Sequence, residues 1–70
     1  MTEQDIKQQV AYRIRETRKA KGLTQKELAT LLAVGEPTVN GYESGKQNLT
    51  IETLQKIAIA LKVSVKDFLQ

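Results

Sequence analysis

The 70-residue sequence predicts a single all-α domain. Apolar side chains recur three and four positions apart in four segments, the spacing that places them on one face of a helix. Two of these segments open on Ser or Thr with an acid three residues later, a pattern typical of helix N-termini. Alternation with period two is not sustained over a strand's length, and neither a repeat nor a linker interrupts residues 1–70.

The first half of the chain contains two of these segments. In "DIKQQVAYRIRETRKAKG", Ile6, Val10 and Ile14 lie four apart, and lysines followed by a glycine mark the end of the helix. "TQKELATLL" opens with Thr24 as the N-cap and Glu27 three residues on. These two residues form a capping box, so a second helix is predicted to begin here.

The last third of the chain contains the other two segments. In "TIETLQKIAIALK", Thr50 is the predicted N-cap, and the apolar face comprises Leu54, Ile57, Ala58 and Leu61. This is the clearest amphipathic pattern of the chain. "SVKDFL" repeats the capping box with Ser64 and Asp67, which predicts a short final helix.

The stretch between these pairs, "GEPTVNGYESGK", contains two glycines and a proline within its first seven residues, yet it also permits a helix. Pro37 lies in the first turn, where a missing N–H is harmless. Val39 and Tyr42 are three apart and share a face, and Gly45 is a suitable closing residue. A short helix, a tight "AVG" turn and another short helix are the layout of a helix-turn-helix.

The amino-acid composition excludes several classes of function. The chain has no cysteine or histidine and a net charge of +3, so disulfides, thiolate metal sites and the commonest general base are excluded. We expect no metal, no cofactor and no enzymatic activity. The longest apolar run, "IAIAL", is far shorter than the roughly 20 residues of a membrane span, and we expect a cytoplasmic protein. Arg13, Arg15 and Arg18 suggest a nucleic-acid surface, although an ordinary solvated helix face has the same composition.

Residues 13–69 resemble the lambda-repressor-like, or XRE-type, helix-turn-helix domain. The matching motifs are "LTQKELA", the turn "AVGEPTV", "YESG", "LQKIAIAL" and "VS", in the family's order and spacing. The resemblance implies a compact five-helix bundle that binds double-stranded DNA through a unit spanning about residues 24–44. Its third helix, residues 36–44, would be the recognition helix in the major groove. The length also resembles restriction–modification controller proteins and small phage regulators.

The resemblance assigns base contacts to the outward face of the recognition helix, at Glu36, Pro37, Thr38, Asn40 and Gly41. It assigns phosphate contacts to the start of the second helix and the loop after the third, at Thr24, Gln25, Ser44, Lys46, Gln47 and Asn48. It also implies a structural ion pair between Arg18 and Glu43. Four of these base contacts have an alternative. Glu36 can simply stabilise the helix start, and Thr38 can meet a phosphate instead of a thymine methyl group. Asn40 can be solvated, and Gly41 can be merely tolerated.

The chain departs from the family pattern at three points. Ala33 replaces the usual turn glycine, Gly35 replaces the usual Ser or Thr N-cap, and the recognition helix lacks Arg, Lys and Gln. The last departure weakens the expectation of strong base discrimination, because those side chains most often make bidentate base contacts.

Apolar residues at positions that are usually polar in the family suggest a partner surface, formed by Leu31, Ile59 and Val65. A homodimer on a palindromic operator is therefore the leading expectation. The alternative is a protein-interaction module, such as an antitoxin or adaptor domain, that binds a protein instead of DNA. Isolated surface apolar residues would also explain the pattern.

Overall fold

The computed structural model describes residues 2–70, apart from the side chain of Gln4. These residues form five α-helices, α1 (Glu3–Ala20), α2 (Gln25–Leu32), α3 (Glu36–Ser44), α4 (Ile51–Leu61) and α5 (Lys66–Leu69). Within residues 2–70 no strand occurs, so the all-α prediction is confirmed. The uncertain stretch between the second and third predicted segments is a regular helix, with Pro37 in its first turn and Gly45 at its end.

All five helices contribute to one core. The helix α1 packs against α3, α4 and α5, and α2 packs against α3 and α4. Every helix contributes to the largest fully buried side chains, which are Ile14, Leu28, Val39, Ile57, Leu61 and Phe68. Burial of these side chains is the main stabilising contribution in so short a chain.

One predicted core residue lies outside the core. Ile6 is 49% exposed, and the buried face of α1 begins only at Val10. The reason is length: α1 has 18 residues and spans about 27 Å at 1.5 Å per residue. The helices that pack against it have four to eleven residues, so they cover only part of its length.

The helix starts follow the capping signals with two differences. Thr24 and Glu27 form the predicted capping box, and Thr50 accepts from the Thr53 N–H. A further capping box, Thr2 with Asp5, starts α1 two residues before the segment identified from sequence. Ser64 and Asp67 form only half of the predicted capping box: Asp67 Oδ2 accepts from the Ser64 N–H at 3.1 Å. The Asp67 N–H, expected to donate to the Ser64 hydroxyl, donates instead to the Ser64 carbonyl oxygen at 3.0 Å. Because the tight turn already gives the Asp67 N–H a backbone acceptor, the Ser64 hydroxyl does not accept from it.

The connection from α2 to α3 contains a backbone conformation that is rare for alanine. Ala33 has φ 58° and ψ 41°, the left-handed region, and Lys62 after α4 has the same conformation. The Val34 N–H donates to the Ala29 carbonyl oxygen at 3.0 Å, closing α2. Ala33 therefore adopts a conformation that suits glycine better, at a cost in backbone strain.

Candidate nucleic-acid interface

A hydrogen-bonded network joins the first three helices beneath the exposed face of α3. Arg18 of α1 donates from Nε to Glu43 Oε2 at 2.6 Å and from Nη2 to Glu43 Oε1 at 3.1 Å. Its Nη1 donates to the Leu23 carbonyl oxygen at 2.6 Å. Gln25 of α2 donates from Nε2 to Glu43 Oε1 at 3.1 Å. Every oxygen of the Glu43 carboxylate is therefore engaged.

This network determines which atoms of Gln25 remain for a ligand. A carboxamide has two N–H donors and one acceptor oxygen, and one donor is directed to Glu43. The second N–H and the oxygen stay free on a half-buried side chain. Gln25 is also the first residue of α2, where backbone N–H groups have no partner within the helix. The site has the chemistry expected of a phosphate contact.

The neighbouring Thr24 and Ser44 differ in what their hydroxyl groups can donate. The Thr24 oxygen accepts from the Glu27 N–H at 3.0 Å, which leaves its proton free for a phosphate. Ser44 donates its proton to the Gly41 carbonyl oxygen at 3.2 Å. A hydroxyl has a single proton, so in this arrangement Ser44 can only accept.

Two shallow depressions connect α2 with the outward face of α3. One, of about 240 Å³, is lined by Gln25, Glu36, Pro37 and Asn40. The other, of about 320 Å³, shares Gln25 and Asn40 with it and adds α1, with the lining Arg15, Arg18, Gln25, Asn40, Glu43 and Ser44. These depressions thus form one continuous polar surface, and five of the predicted contacts line it: Gln25, Glu36, Pro37, Asn40 and Ser44. Thr24, Thr38 and Gly41 do not line it.

The sequence pattern grouped Arg15 with Arg13 and Arg18 and did not assign it a DNA contact of its own. The three clustered arginines point to different places: Arg13 donates to the Phe68 carbonyl oxygen at 3.4 Å, Arg18 is buried against Glu43, and Arg15 is exposed. Only Arg15 combines exposure with a place on the α2–α3 surface. The helical period could have indicated the position of Arg15, because residues 15 and 18 are three apart and lie on the same side of α1.

The loop after α3 lies against the same face. Lys46, Gln47 and Asn48 are all exposed. The N–H groups of Lys46 and Gln47 donate to the Gly41 carbonyl oxygen at 3.0 and 3.2 Å, so the chain turns back over α3. Of the outward residues of α3, Glu36, Pro37 and Asn40 are exposed, while Thr38 and Gly41 are partly covered.

A separate apolar surface lies between α2 and α4. Leu31 and Ile59 are 58% and 74% exposed. They line a depression of about 340 Å³, here called the α2–α4 patch, formed by Leu31, Leu32, Lys56, Ile59 and Ala60. Val65, grouped with Leu31 and Ile59 by sequence, packs against the core and does not line this depression.

The described part of the chain shows neither a cluster of metal-binding side chains nor a membrane-spanning helix. Within residues 2–70, no three His, Cys, Asp or Glu side chains are grouped so that they could hold a metal ion. Over the same residues, none of the helices has both the length and the apolar character needed to cross a membrane.

Comparisons with known proteins agree with this geometry. A helix-turn-helix (HTH_3) family model matches residues 14–68. The HTH-type transcriptional regulator DdrOP3 of Deinococcus deserti is 34% identical over 58 residues, which cover 83% of this chain and 45% of the relative. The chain thus spans less than half the length of that relative.

Solved structures share the arrangement of helices. The restriction-modification controller protein C.AhdI from Aeromonas hydrophila has a TM-score of 0.83 and 34% identity, covering 91% of this chain and 96% of that one. The clp gene regulator ClgR from C. glutamicum has a TM-score of 0.87 and 30% identity, covering 91% and 83%. Since the family model covers most of the residues, this chain belongs to the helix-turn-helix (HTH_3, XRE-type) family.

Proposed function

We propose that this chain binds double-stranded DNA as a dimeric regulator, with α3 in the major groove of each half-site. The observation that carries the proposal is the continuous polar surface formed by Arg15, the start of α2 and the outward face of α3. The Arg18–Glu43–Gln25 network holds the three helices of that surface together. A surface fixed in this way loses little conformational entropy on binding.

Phosphate contacts would come from both sides of α3. On one side, the α2 N-terminus offers unpaired backbone N–H groups, the free Thr24 hydroxyl proton and the second Gln25 N–H. Arg15 adds a full positive charge next to them. On the other side, Lys46 is exposed in the loop after α3. These contacts would position the helix on the duplex without reading its sequence.

Base reading would rest on few side chains. Asn40 is exposed, and its carboxamide matches the N6 and N7 edge of adenine. Glu36 can accept from the N4 amino group of cytosine, and Thr38 can contact a thymine methyl group. Glu36 also lies at the positive end of the α3 dipole, which stabilises the helix start whether or not DNA is bound.

Dimerisation would use the α2–α4 patch, because it combines two large exposed apolar side chains with a concave surface. Symmetric dimers of this class bind half-sites about 34–36 Å apart, one helical turn. The chain measures 33 × 22 × 20 Å, so two copies side by side are of the size required to span one turn.

Selection of bound sequences from a random duplex pool tests the proposal. We expect a palindrome whose half-sites are about one turn apart, and a linear fall of log affinity with log salt. A Gln25→Ala, Lys46→Ala double variant should bind the selected sequence more weakly, while Lys66→Ala on α5 should bind it like wild type. Failure to enrich any sequence, together with no binding of any duplex at low salt, would contradict the proposal.

The same patch favours one second candidate, a module that binds another protein. The apolar exposure of Leu31 and Ile59 and the lack of Arg, Lys and Gln on α3 both fit it. Copurification of a defined protein partner, with loss of that partner in Ile59→Glu and no duplex binding at low salt, would favour this candidate over DNA binding.

A further inference from the structure

The outward face of α3, which is proposed to read bases, lacks hydrogen-bonding side chains at its centre. Pro37 and Gly41 are four apart and so share one side of the helix, and neither offers a hydrogen-bonding side chain. Since residues 36–44 contain no Arg, Lys or Gln, Asn40 is the sole carboxamide on this face. On the helix alone, the site would therefore have little capacity to distinguish base pairs.

The side chain of Gln47 occupies the space beside Gly41 on this face. A Cβ atom placed on Gly41 would lie 3.2 Å from Gln47 Nε2 and 3.3 Å from its Cδ, and it would overlap Cγ. Gly41 thus lacks a side chain at the position where the Gln47 carboxamide lies. The glycine is required for this close approach of another side chain, which replaces the earlier interpretation of mere tolerance.

The backbone after α3 holds Gln47 in this place. Gly45 has φ +79°, a conformation suited to glycine that reverses the chain at the end of the helix. The Gln47 N–H donates to the Gly41 carbonyl oxygen at 3.2 Å, so residue 47 is bonded to residue 41 through its main chain as well. Its side chain is nevertheless exposed and accessible to a ligand.

We infer that Gln47 is a base-reading residue, which supplies from the loop the carboxamide that α3 lacks at Gly41. A carboxamide offers a donor and an acceptor side by side, the pair that recognises adenine N7 and N6. The inference rests on the proposed function, since it needs α3 in the major groove. It replaces the phosphate contact that the family resemblance assigned to this residue.

Base reading and phosphate contact predict different results for Gln47→Ala. Loss of a base contact should reduce discrimination at one base pair of each half-site by about 5- to 150-fold, leaving the other positions unchanged. Loss of a phosphate contact should weaken binding uniformly across sequences. Asn48→Ala, at the adjacent exposed residue of the same loop, is the matched comparison. Since the family resemblance assigns Asn48 to phosphate, this variant should lower affinity evenly, if at all, and should leave the preference at every base pair unchanged.

Gly41→Ala provides an independent test, because the added methyl group displaces the Gln47 side chain without removing it. We expect this variant to lose preference at the same base pair as Gln47→Ala, and the double variant to lose no more than either single one. The melting temperature, followed by circular dichroism, verifies that each variant is folded.

The experiment is selection from a random duplex pool with the wild type and all four variants, followed by titration of every single base-pair change in the selected sequence. A uniform loss of affinity in Gln47→Ala, or an unchanged preference at every position, overturns the inference while leaving DNA binding intact. Failure of the wild type to select any sequence overturns the proposed function, and the inference with it.

Discussion

Arg18 and Glu43 form a bidentate ion pair between α1 and α3. Arg18 Nε lies 2.6 Å from Glu43 Oε2, and the Glu43 side chain is 2% exposed. The pair lies directly beneath the outward face of α3 and receives the Gln25 carboxamide from α2. It therefore fixes the relative positions of three helices and at the same time orients the Gln25 side chain, the proposed phosphate contact.

Glu43→Gln should destabilise the fold by about 3 kcal/mol or more, because it leaves the buried Arg18 charge without a counterion. The measurement is urea unfolding followed by circular dichroism. Glu16→Gln is the matched control: its carboxylate lies 3.9 Å from Lys19 on the surface, where a pair contributes less than about 1 kcal/mol. A loss below 1 kcal/mol in Glu43→Gln would show that the pair is not a major stabilising contact.

Ala33→Gly should stabilise the domain by up to about 1 kcal/mol, since glycine adopts the left-handed conformation of the turn without the steric cost of a Cβ. The gain is reduced by the greater flexibility of glycine in the unfolded chain. Ala60→Gly, within the right-handed helix α4, should have the opposite effect, a loss of about 0.5–1 kcal/mol. Equal losses in both variants would mean that the turn is not strained.

Arg15→Ala should lower the slope of log affinity against log salt by about 0.9 per bound chain, because one phosphate contact is lost. Lys66→Ala removes the same charge from α5, which packs against α1, and should leave the slope unchanged. The measurement is fluorescence anisotropy with the selected duplex over a range of salt concentrations. Equal slopes for wild type and Arg15→Ala would remove Arg15 from the interface.

Ile59→Glu should weaken self-association at least tenfold, because it places an unpaired charge in the α2–α4 patch. Its fold should be preserved, since Ile59 is 74% exposed in a single chain. Ile51→Glu is a matched control on the same helix, 67% exposed and outside the patch. Sedimentation equilibrium measures the dimer constant, and equal dissociation constants for the two variants would place the dimer interface elsewhere.

The start of α1 should loosen in acid. The Thr2 N–H donates to Asp5 Oδ2 at 3.1 Å, and this bond with that of the Thr2 hydroxyl group lowers the pKa of the Asp5 carboxyl below its ordinary value of 3.8. A lowered pKa means that the stabilisation is present above pH 3.8 and is lost as the pH falls through the folded-state pKa. An NMR titration of the Asp5 carboxyl and the Thr2 amide measures both, and a midpoint at or above 3.8 would contradict the capping box.

The sequence by itself determined the local structure of this protein. Capping boxes, closing glycines, a first-turn proline and apolar spacing predicted the helices, because each of these signals acts between residues at most four positions apart. They identified even α3, whose composition favours a turn, since Pro37 and Gly45 lie where a helix tolerates them. The family motifs predicted the helix-turn-helix for the same reason, because they too describe local geometry at a fixed spacing of residues.

Tertiary structure decided what the side chains of those helices contact. Arg13, Arg15 and Arg18 are equivalent in composition, yet one contacts the α5 carbonyl, one is exposed and one is buried with Glu43. Likewise, Ile6 has the right spacing for the core but lies beyond its edge. Residues 41 and 47 meet only because the chain reverses at Gly45. Packing between helices determines these outcomes, and it depends on helix length and chain direction, which the local pattern of residues does not encode.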